Sequence, residues 1–219
     1  ATMTIAAGQS TDTTNTITMR LAASIAKTTG AWSVGTAAGG LDSGTIANAT
    51  WYHFYQIMRP DTGVVDVLFS TSATTPTMPA NYVFKRRIGS GLTDGSAQWV
   101  LFSQNGDEFL WSASLLDVNS NNPGTSAVDR TLTVPTGVKV YALCRWTLND
   151  SSTVAPALLI TSKDTADIAP SSTGAAGETI GPTQTAVGGS ATNSAEIITR
   201  TNTSAVVRSR LSGSGASVT

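Results

Sequence analysis

The sequence predicts an all-β protein, an antiparallel β-sandwich of jelly-roll type with roughly ten to twelve short strands and little helix. Three observations carry this. Apolar residues recur at alternate positions along many short runs, the two-residue period of a strand. Gly, Pro, Asn and Asp punctuate those runs at near-regular spacing, and no helical period intervenes. Only 12% of the 219 residues are charged, whereas Ser, Thr, Asn, Gly and Ala crowd the chain. That bias suits strands, turns and a neutral, hydroxyl-rich surface.

The first strand is TITMRLAASIA, residues 16–26, where Ile17, Met19, Leu21, Ala23 and Ile25 alternate. Residues 30–49 hold a Gly-Gly pair and further glycines, and read as a long irregular loop anchored by Trp32 and Leu41. TWYHFYQIMR and VVDVLFST follow, joined by Pro60-Asp61-Thr62-Gly63. Proline fixes φ, aspartate favours the turn and glycine accepts positive φ, so these two runs form a hairpin. TSATTPTMPA carries Pro76 and Pro79 and is a crossing loop or edge segment. Tyr82 to Leu92 is a strand, Thr93 to Ser96 a turn, and QWVLFSQ begins another strand. Asn105-Gly106 predicts a two-residue turn into DEFLWS. DRTLTVP, KVYALCRWTL, PALLITS, SAEIITR and AVVRSRL are the later strands, the last two forming a hairpin around Thr201 to Ser204.

These elements suggest four segments. Residues 1–15 are an amino-terminal arm or linker to neighbouring parts, and 16–163 are the main sandwich domain. Residues 164–192, rich in Gly, Ala, Ser, Thr and Pro, read as an extended crossing segment, and 193–219 as a terminal hairpin and tail. No solenoid or propeller repeat is present.

Charge limits the possible partners. Thirteen Lys and Arg against fourteen Asp and Glu give a formal net charge of −1. No long-range positive field would draw in nucleic acid. No apolar run reaches the roughly 18 residues of a membrane helix, so membrane insertion is not expected. The opening ATMTIAAGQSTDTTNT lacks the positive start and apolar core of a signal peptide. Cys144 is the single cysteine, which excludes an internal disulfide framework and a thiolate metal cluster. It sits in the apolar run VYALCRW and reads as a buried, inert thiol.

KRRIGSG, residues 85–91, invites a phosphate-site reading. Strand alternation argues otherwise: Lys85 and Arg87 share one face, while Phe84, Arg86 and Ile88 share the other. No helix follows to complete a phosphate cradle. Arg86, on the more apolar face, is expected to be a structural arginine satisfied by a carboxylate or carbonyl. The glycines are expected to relax the strand before its turn.

Catalytic and metal motifs are missing. His53 is the only histidine, in a run apolar on both faces, and reads as a core or interface residue. No nucleophile elbow, Walker loop, zinc-protease or calcium motif occurs. Asp107 and Glu108 are strand neighbours and point to opposite faces, so they cannot flank one glycosidic bond, and Asp107 reads as structural. Asp66, Asp94 and Asp117 could join them only through folding. No catalytic, cofactor or metal residue is therefore assigned. A receptor surface would use exposed loop residues, of which Trp32, Thr74, Thr75 and Thr77 are the candidates.

GGLDSGTIANATWYHFYQIMRPDTGVVDVLFSTSATTPTMPANYVFKRRIGS followed by FSQNGDEFLW resembles a family of tail-fibre, spike or uncharacterised virion proteins of tailed bacteriophages and prophages. The matching segments are Tyr52-His53, VDVLFSTS at 65–72, the Pro-Ala-x-Tyr approach to Arg86-Arg87-Ile88-Gly89, and the Gln-x-Gly-Asp turn at 104–107. LTVPTGVKVYA and RTNTSAVVRSR extend the likeness over most of the chain from about residue 16. The resemblance implies a β-sandwich module on the exterior of a virion, assembled as a homotrimer with other virion proteins. Its expected function is that of a tail-fibre or receptor-binding module attaching to host polysaccharide or protein. The alternative is a capsid-decoration, head-fibre or baseplate protein with no receptor, and a glycan hydrolase ranks behind both. Some relatives are expected to continue beyond LSGSGASVT with a further strand.

Overall fold

The computed structural model describes residues 1–150, 156–170, 178–180 and 191–219. Every regular element among them is a strand and none is helical, so the all-β sandwich-like class holds. The chain divides into two compact units, Ala1–Ala113 and Ser114–Thr219. The segment read as one domain over 16–163 is thus shared between two units, and the expected amino-terminal arm lies within the first. The expected crossing segment 164–192 falls largely outside the described residues.

The first unit contains β1 (Thr2–Ile5), β2 (Gly8–Thr11), β3 (Thr18–Leu21), β4 (Ile25–Ala31), β5 (Ala38–Leu41), β6 (Trp51–Met58), β7 (Val65–Ser70), β8 (Phe84–Leu92), β9 (Phe102–Asn105) and β10 (Glu108–Trp111). Six form one sheet in the order β1-β4-β5-β7-β6-β8, while β2 pairs with β3 and β9 with β10. The 16–26 run is broken at exposed Ala22 to Ser24 into β3 and β4. Most pairings are antiparallel, but β4 to β5 and β5 to β7 run parallel. The expected loop over 30–49 therefore contains a strand, β5, that the glycine content disguised.

That strand is glycine-rich because its neighbours approach closely. A Cβ on Gly39 would lie 1.9 Å from Ala31 O, and one on Gly40 would lie 2.4 Å from Phe69 Cε1 and 2.9 Å from Lys27 Cβ. Lys27 and Asp66 form a fully buried ion pair at 2.8 Å, 0% and 1% exposed. Lys27 Nζ also donates to Ser33 O at 2.7 Å. Asp66 accepts from the Gly35 and Val67 N–H groups at 2.8 and 2.6 Å. Each charge is thereby hydrogen-bonded as well as paired, the condition under which charges are tolerated in a core.

β6 and β7 are buried along nearly their whole length. Alternate residues feed two clusters: Tyr52, Phe54 and Phe69 join Leu41 and Trp99, whereas Tyr55, Ile57 and Leu68 join Tyr82. The predicted β6–β7 hairpin is present, closed by Gly63 at φ 68°. The β9–β10 turn is shifted by one residue from expectation. Asn105 pairs with Glu108, so Gly106 and Asp107 are the central residues, and Gly106, at φ 58°, takes the first position where a II′ turn requires positive φ. Asp107 is exposed at this turn.

The second unit contains β11 (Ser120–Asn121), β12 (Val128–Thr131), β13 (Tyr141–Asp150), β14 (Leu158–Ser162), β15 (Glu178–Ile180), β16 (Ala191–Arg200), β17 (Val206–Leu211) and β18 (Ala216–Val218). Two four-stranded sheets, β11-β18-β13-β16 and β12-β17-β14-β15, enclose a core of Leu132, Trp146, Leu148, Leu158, Ile160, Ile197, Val207 and Leu211 with their neighbours. β16 and β17 belong to different sheets, so the expected terminal hairpin is instead a crossing from one sheet to the other. The chain then returns as β18 to pair with β13. Cys144 is half-buried against this core, and burial pushes its thiol above the ordinary range.

Candidate functional site

The candidate recognition surface is the loop at 71–80. It is irregular because Pro76 and Pro79 withhold ladder donors, yet it is firmly tied down. Tyr55 Oη donates to Ser72 O at 2.8 Å, and the Ser72 N–H donates to Ser70 Oγ at 3.0 Å. The Thr75 N–H donates to Ser72 Oγ at 3.0 Å, while the Thr75 and Ser72 hydroxyls share a bond at 3.1 Å. The Thr77 N–H donates to Asp42 Oδ2 at 2.8 Å, and the Tyr82 N–H to Pro79 O at 3.1 Å. Pro76 is buried, and Met78 packs on the Tyr55, Ile57, Leu68 and Tyr82 cluster. Thr74, Thr75 and Thr77 remain exposed. The result is a preorganised polar rim, which loses little freedom on binding.

Trp32 is placed differently from the threonines. Its indole N–H donates to Val67 O at 3.1 Å, and its ring meets Tyr82 edge-on at 5.1 Å. Lys27 Nζ lies 5.4 Å from the same ring. The polar edge of Trp32 is therefore used internally, and the ring packs beside Met78 on one cluster. It supports the loop from behind while the threonines face solvent. Sequence reasoning missed the loop's anchors, Asp42, Ser70 and Ser72. Ser-rich composition was the only signal for the two serines and nothing local marked Asp42, because its bond to Thr77 spans 35 residues.

The stretch at 85–91 serves the fold. Arg86 Nε donates to Thr11 O at 2.6 Å and Nη2 to Thr11 Oγ1 at 2.8 Å, with further bonds to Asp12 O and Asn15 Oδ1. Its partners are carbonyl and side-chain oxygens of its own chain, at the end of β2 and in the loop between β2 and β3. Asp12, in that loop, accepts from the Thr14 hydroxyl and the Ile17, Thr14 and Thr16 N–H groups, which hold its carboxyl well below the usual aspartate range. The glycines are packing positions. A Cβ on Gly89 would lie 2.5 Å from Gln104 Oε1, and one on Gly91 would lie 2.8 Å from Phe54 Cζ.

His53 Nδ1 and Ser90 Oγ share a hydrogen bond at 2.9 Å, and Arg87 Nη1 donates to Ser90 Oγ at 3.2 Å. His53 and Ser90 are 1% and 3% exposed, so this pair sits within the sheet between β6 and β8. The carboxylates are separately employed. Asp66 pairs with Lys27, Asp94 caps the Ser96 and Gln98 N–H groups, and Asp117 accepts from the Thr133 N–H and hydroxyl. Among the described residues no group of three or more His, Cys, Asp and Glu side chains could hold a metal ion, and no helix is long and apolar enough to cross a membrane.

Comparison with protein-family models, with curated proteins and with solved structures gives no match.

Proposed function

We propose that this chain is an exterior component of a tailed-bacteriophage or prophage particle, a tail-fibre or receptor-binding module that attaches to the host surface. The observation that carries the attachment role is the pinned loop at 71–80, with Thr74, Thr75 and Thr77 exposed on a fixed backbone. A backbone tied down at Thr75 and Thr77 presents hydroxyls that suit a neutral, hydroxyl-rich ligand such as a surface polysaccharide, because part of the backbone's ordering cost is already met. The near-zero net charge fits recognition by hydrogen bonds rather than by long-range steering. The family resemblance supplies the virion context, and other virion proteins would be the chain's neighbours there.

A second reading, a capsid-decoration, head-fibre or baseplate component with no receptor, is favoured by a different observation. Tyr141, Leu143 and Ile198 stand exposed on one sheet face of the second unit, a surface suited to contact with protein. Adsorption separates the two readings. The labelled chain should bind bacterial cells of the strain that carries the sequence, and a Thr74→Ala, Thr75→Ala, Thr77→Ala variant should bind at least ~10-fold more weakly, three lost hydrogen bonds being worth about 0.5–1.5 kcal/mol each. Absence of binding would favour the structural reading, and unchanged adsorption by the variant would remove this loop from the receptor surface. Release of oligosaccharide from host polysaccharide would revive the hydrolase alternative.

A further inference from the structure

Asn105 is the single asparagine of the sequence followed by glycine, and the fold leaves that pair open. Asn105, Gly106 and Asp107 are all exposed at the tip of the β9–β10 hairpin. Among the described residues neither the Asn105 side-chain amide nor the Gly106 N–H makes a hydrogen bond. Open space surrounds the glycine, where an added Cβ would meet no atom within 4 Å. Other asparagines are held or shielded. Asn15 Oδ1 accepts from the Thr11 hydroxyl at 3.0 Å, and Asn202 Oδ1 from the Ser204 and Val206 N–H groups at 3.0 and 2.9 Å. Asn48 and Asn81 are exposed but precede Ala49 and Tyr82, whose side chains crowd the nitrogen that follows.

We propose that Asn105 is a self-modifying site, converting to aspartate and isoaspartate through a cyclic imide formed with Gly106. Solvent hydroxide takes the Gly106 amide proton, and the nitrogen attacks Asn105 Cγ. The Cγ–Nδ2 bond breaks as water supplies a proton, so ammonia leaves and hydroxide is regenerated. Water then opens the imide. Cleavage at the side-chain carbonyl gives aspartate, whereas cleavage at the main-chain carbonyl gives isoaspartate, whose backbone runs through the former side chain. The attack requires Asn105 to leave its extended strand conformation. Opposing this are the terminal ladder pair, Asn105 with Glu108, and the bond from Gln104 Nε2 to Gly106 O at 2.9 Å. The end of a two-stranded sheet opens most readily, and the Gln104 bond leaves the glycine nitrogen clear.

Register sets the consequence. Asn105 and Glu108 are direct cross-strand partners, so a carboxylate at 105 stands opposite that of Glu108, with Asp107 adjoining. Like charges directly opposite destabilise a ladder. Isoaspartate also adds a carbon to the main chain, which displaces Gly106 O from Gln104, the residue that caps β8 through Ile88 O at 2.9 Å. The tip thus gains negative charge with age in a chain whose formal net charge is −1.

This modification does not depend on the attachment role. Ageing the full chain in warm, mildly alkaline buffer and separating the products by isoelectric focusing tests it. The native chain should gain a species one charge more acidic, with aspartate and isoaspartate at position 105 by peptide mass spectrometry and with isoaspartate accepted by a protein isoaspartyl methyltransferase. Asn105→Gln, which can form only a larger and slower ring, should not gain that species over the same interval. Its circular dichroism should match the native chain, because residue 105 is exposed. The same ageing in urea gives the rate of the unfolded chain. Asn105 left intact in the folded chain after its unfolded counterpart has converted would overturn the proposal, because the hairpin would then protect it. So would an acidic species that arises equally in Asn105→Gln.

Discussion

Replacing Lys27 by methionine isolates the most consequential interaction in the first unit. The substitution keeps the aliphatic stem but leaves Asp66 charged, buried and without its counter-ion. The intact pair is 0% and 1% exposed at 2.8 Å, so solvent screening does not soften the loss. Breaking a buried pair by removing one partner costs about 3–5 kcal/mol. Asp66 keeps the Gly35 and Val67 N–H donors, which argues for the lower end, about 3 kcal/mol. With a urea slope of about 1–3 kcal/mol per M, the midpoint should fall by roughly 1–3 M. Tryptophan fluorescence is the appropriate readout, because Trp32, Trp51, Trp99 and Trp111 of the five tryptophans lie in the first unit. The double replacement Lys27→Met, Asp66→Leu should be less damaging than Lys27→Met alone, since no uncompensated charge remains. A Lys27→Met midpoint within a few tenths of a molar of the native value would refute the reasoning. So would a double variant as unstable as the sum of the two singles.

Three further perturbations test other parts of the first unit. Gly40→Ala places a methyl 2.4 Å from Phe69 Cε1 and should cost about 1–3 kcal/mol by overpacking, measured as a lower thermal midpoint; a neutral result would mean that β5 can shift freely. The hydrogen bonds that depress Asp12 in the folded state contribute stability that is fully present above the unfolded aspartate value near 4 and is lost as pH falls towards the folded value. Asp12→Asn should therefore flatten the acid limb of the stability profile, and an unchanged limb would contradict this. Burial pushes Tyr55 up to about 12, so its contribution is complete below the unfolded tyrosine value near 10 and is lost as pH rises through 12. In a spectroscopic titration of the folded protein, comparison with Tyr55→Phe should assign a tyrosine that ionises near 12, and an assignment near 10 would be inconsistent with its burial.

Much of the fold was legible in the sequence wherever one strand carried its own signal. The alternation of Met19 and Leu21, the double-faced burial of β6 and the Pro60 to Gly63 turn follow from local rules, and all are present. What escaped was decided by long-range contact. Gly39 and Gly40 read as loop residues, yet they make β5 possible because only glycine fits between Ala31, Lys27 and Phe69. Gly89 and Gly91 read as relaxed backbone but accommodate Gln104 and Phe54. β16 and β17 look like a hairpin because they are sequential and separated by a turn, while their partners β13 and β14 decide that they lie in different sheets. The exposed threonines at 74, 75 and 77 could be named from their place on either side of Pro76 in a proline-punctuated loop. Their anchoring by Asp42, Ser72 and Tyr55 depends on the fold.

The claim that this chain acts on the outside of a phage particle, at the point of host contact, is tested most directly by its position there. Antibody-gold labelling of intact particles from the strain that carries the sequence, viewed by electron microscopy, would locate it. Label is expected at the distal end of the tail. Label spread over the capsid, or none on any particle, would contradict it.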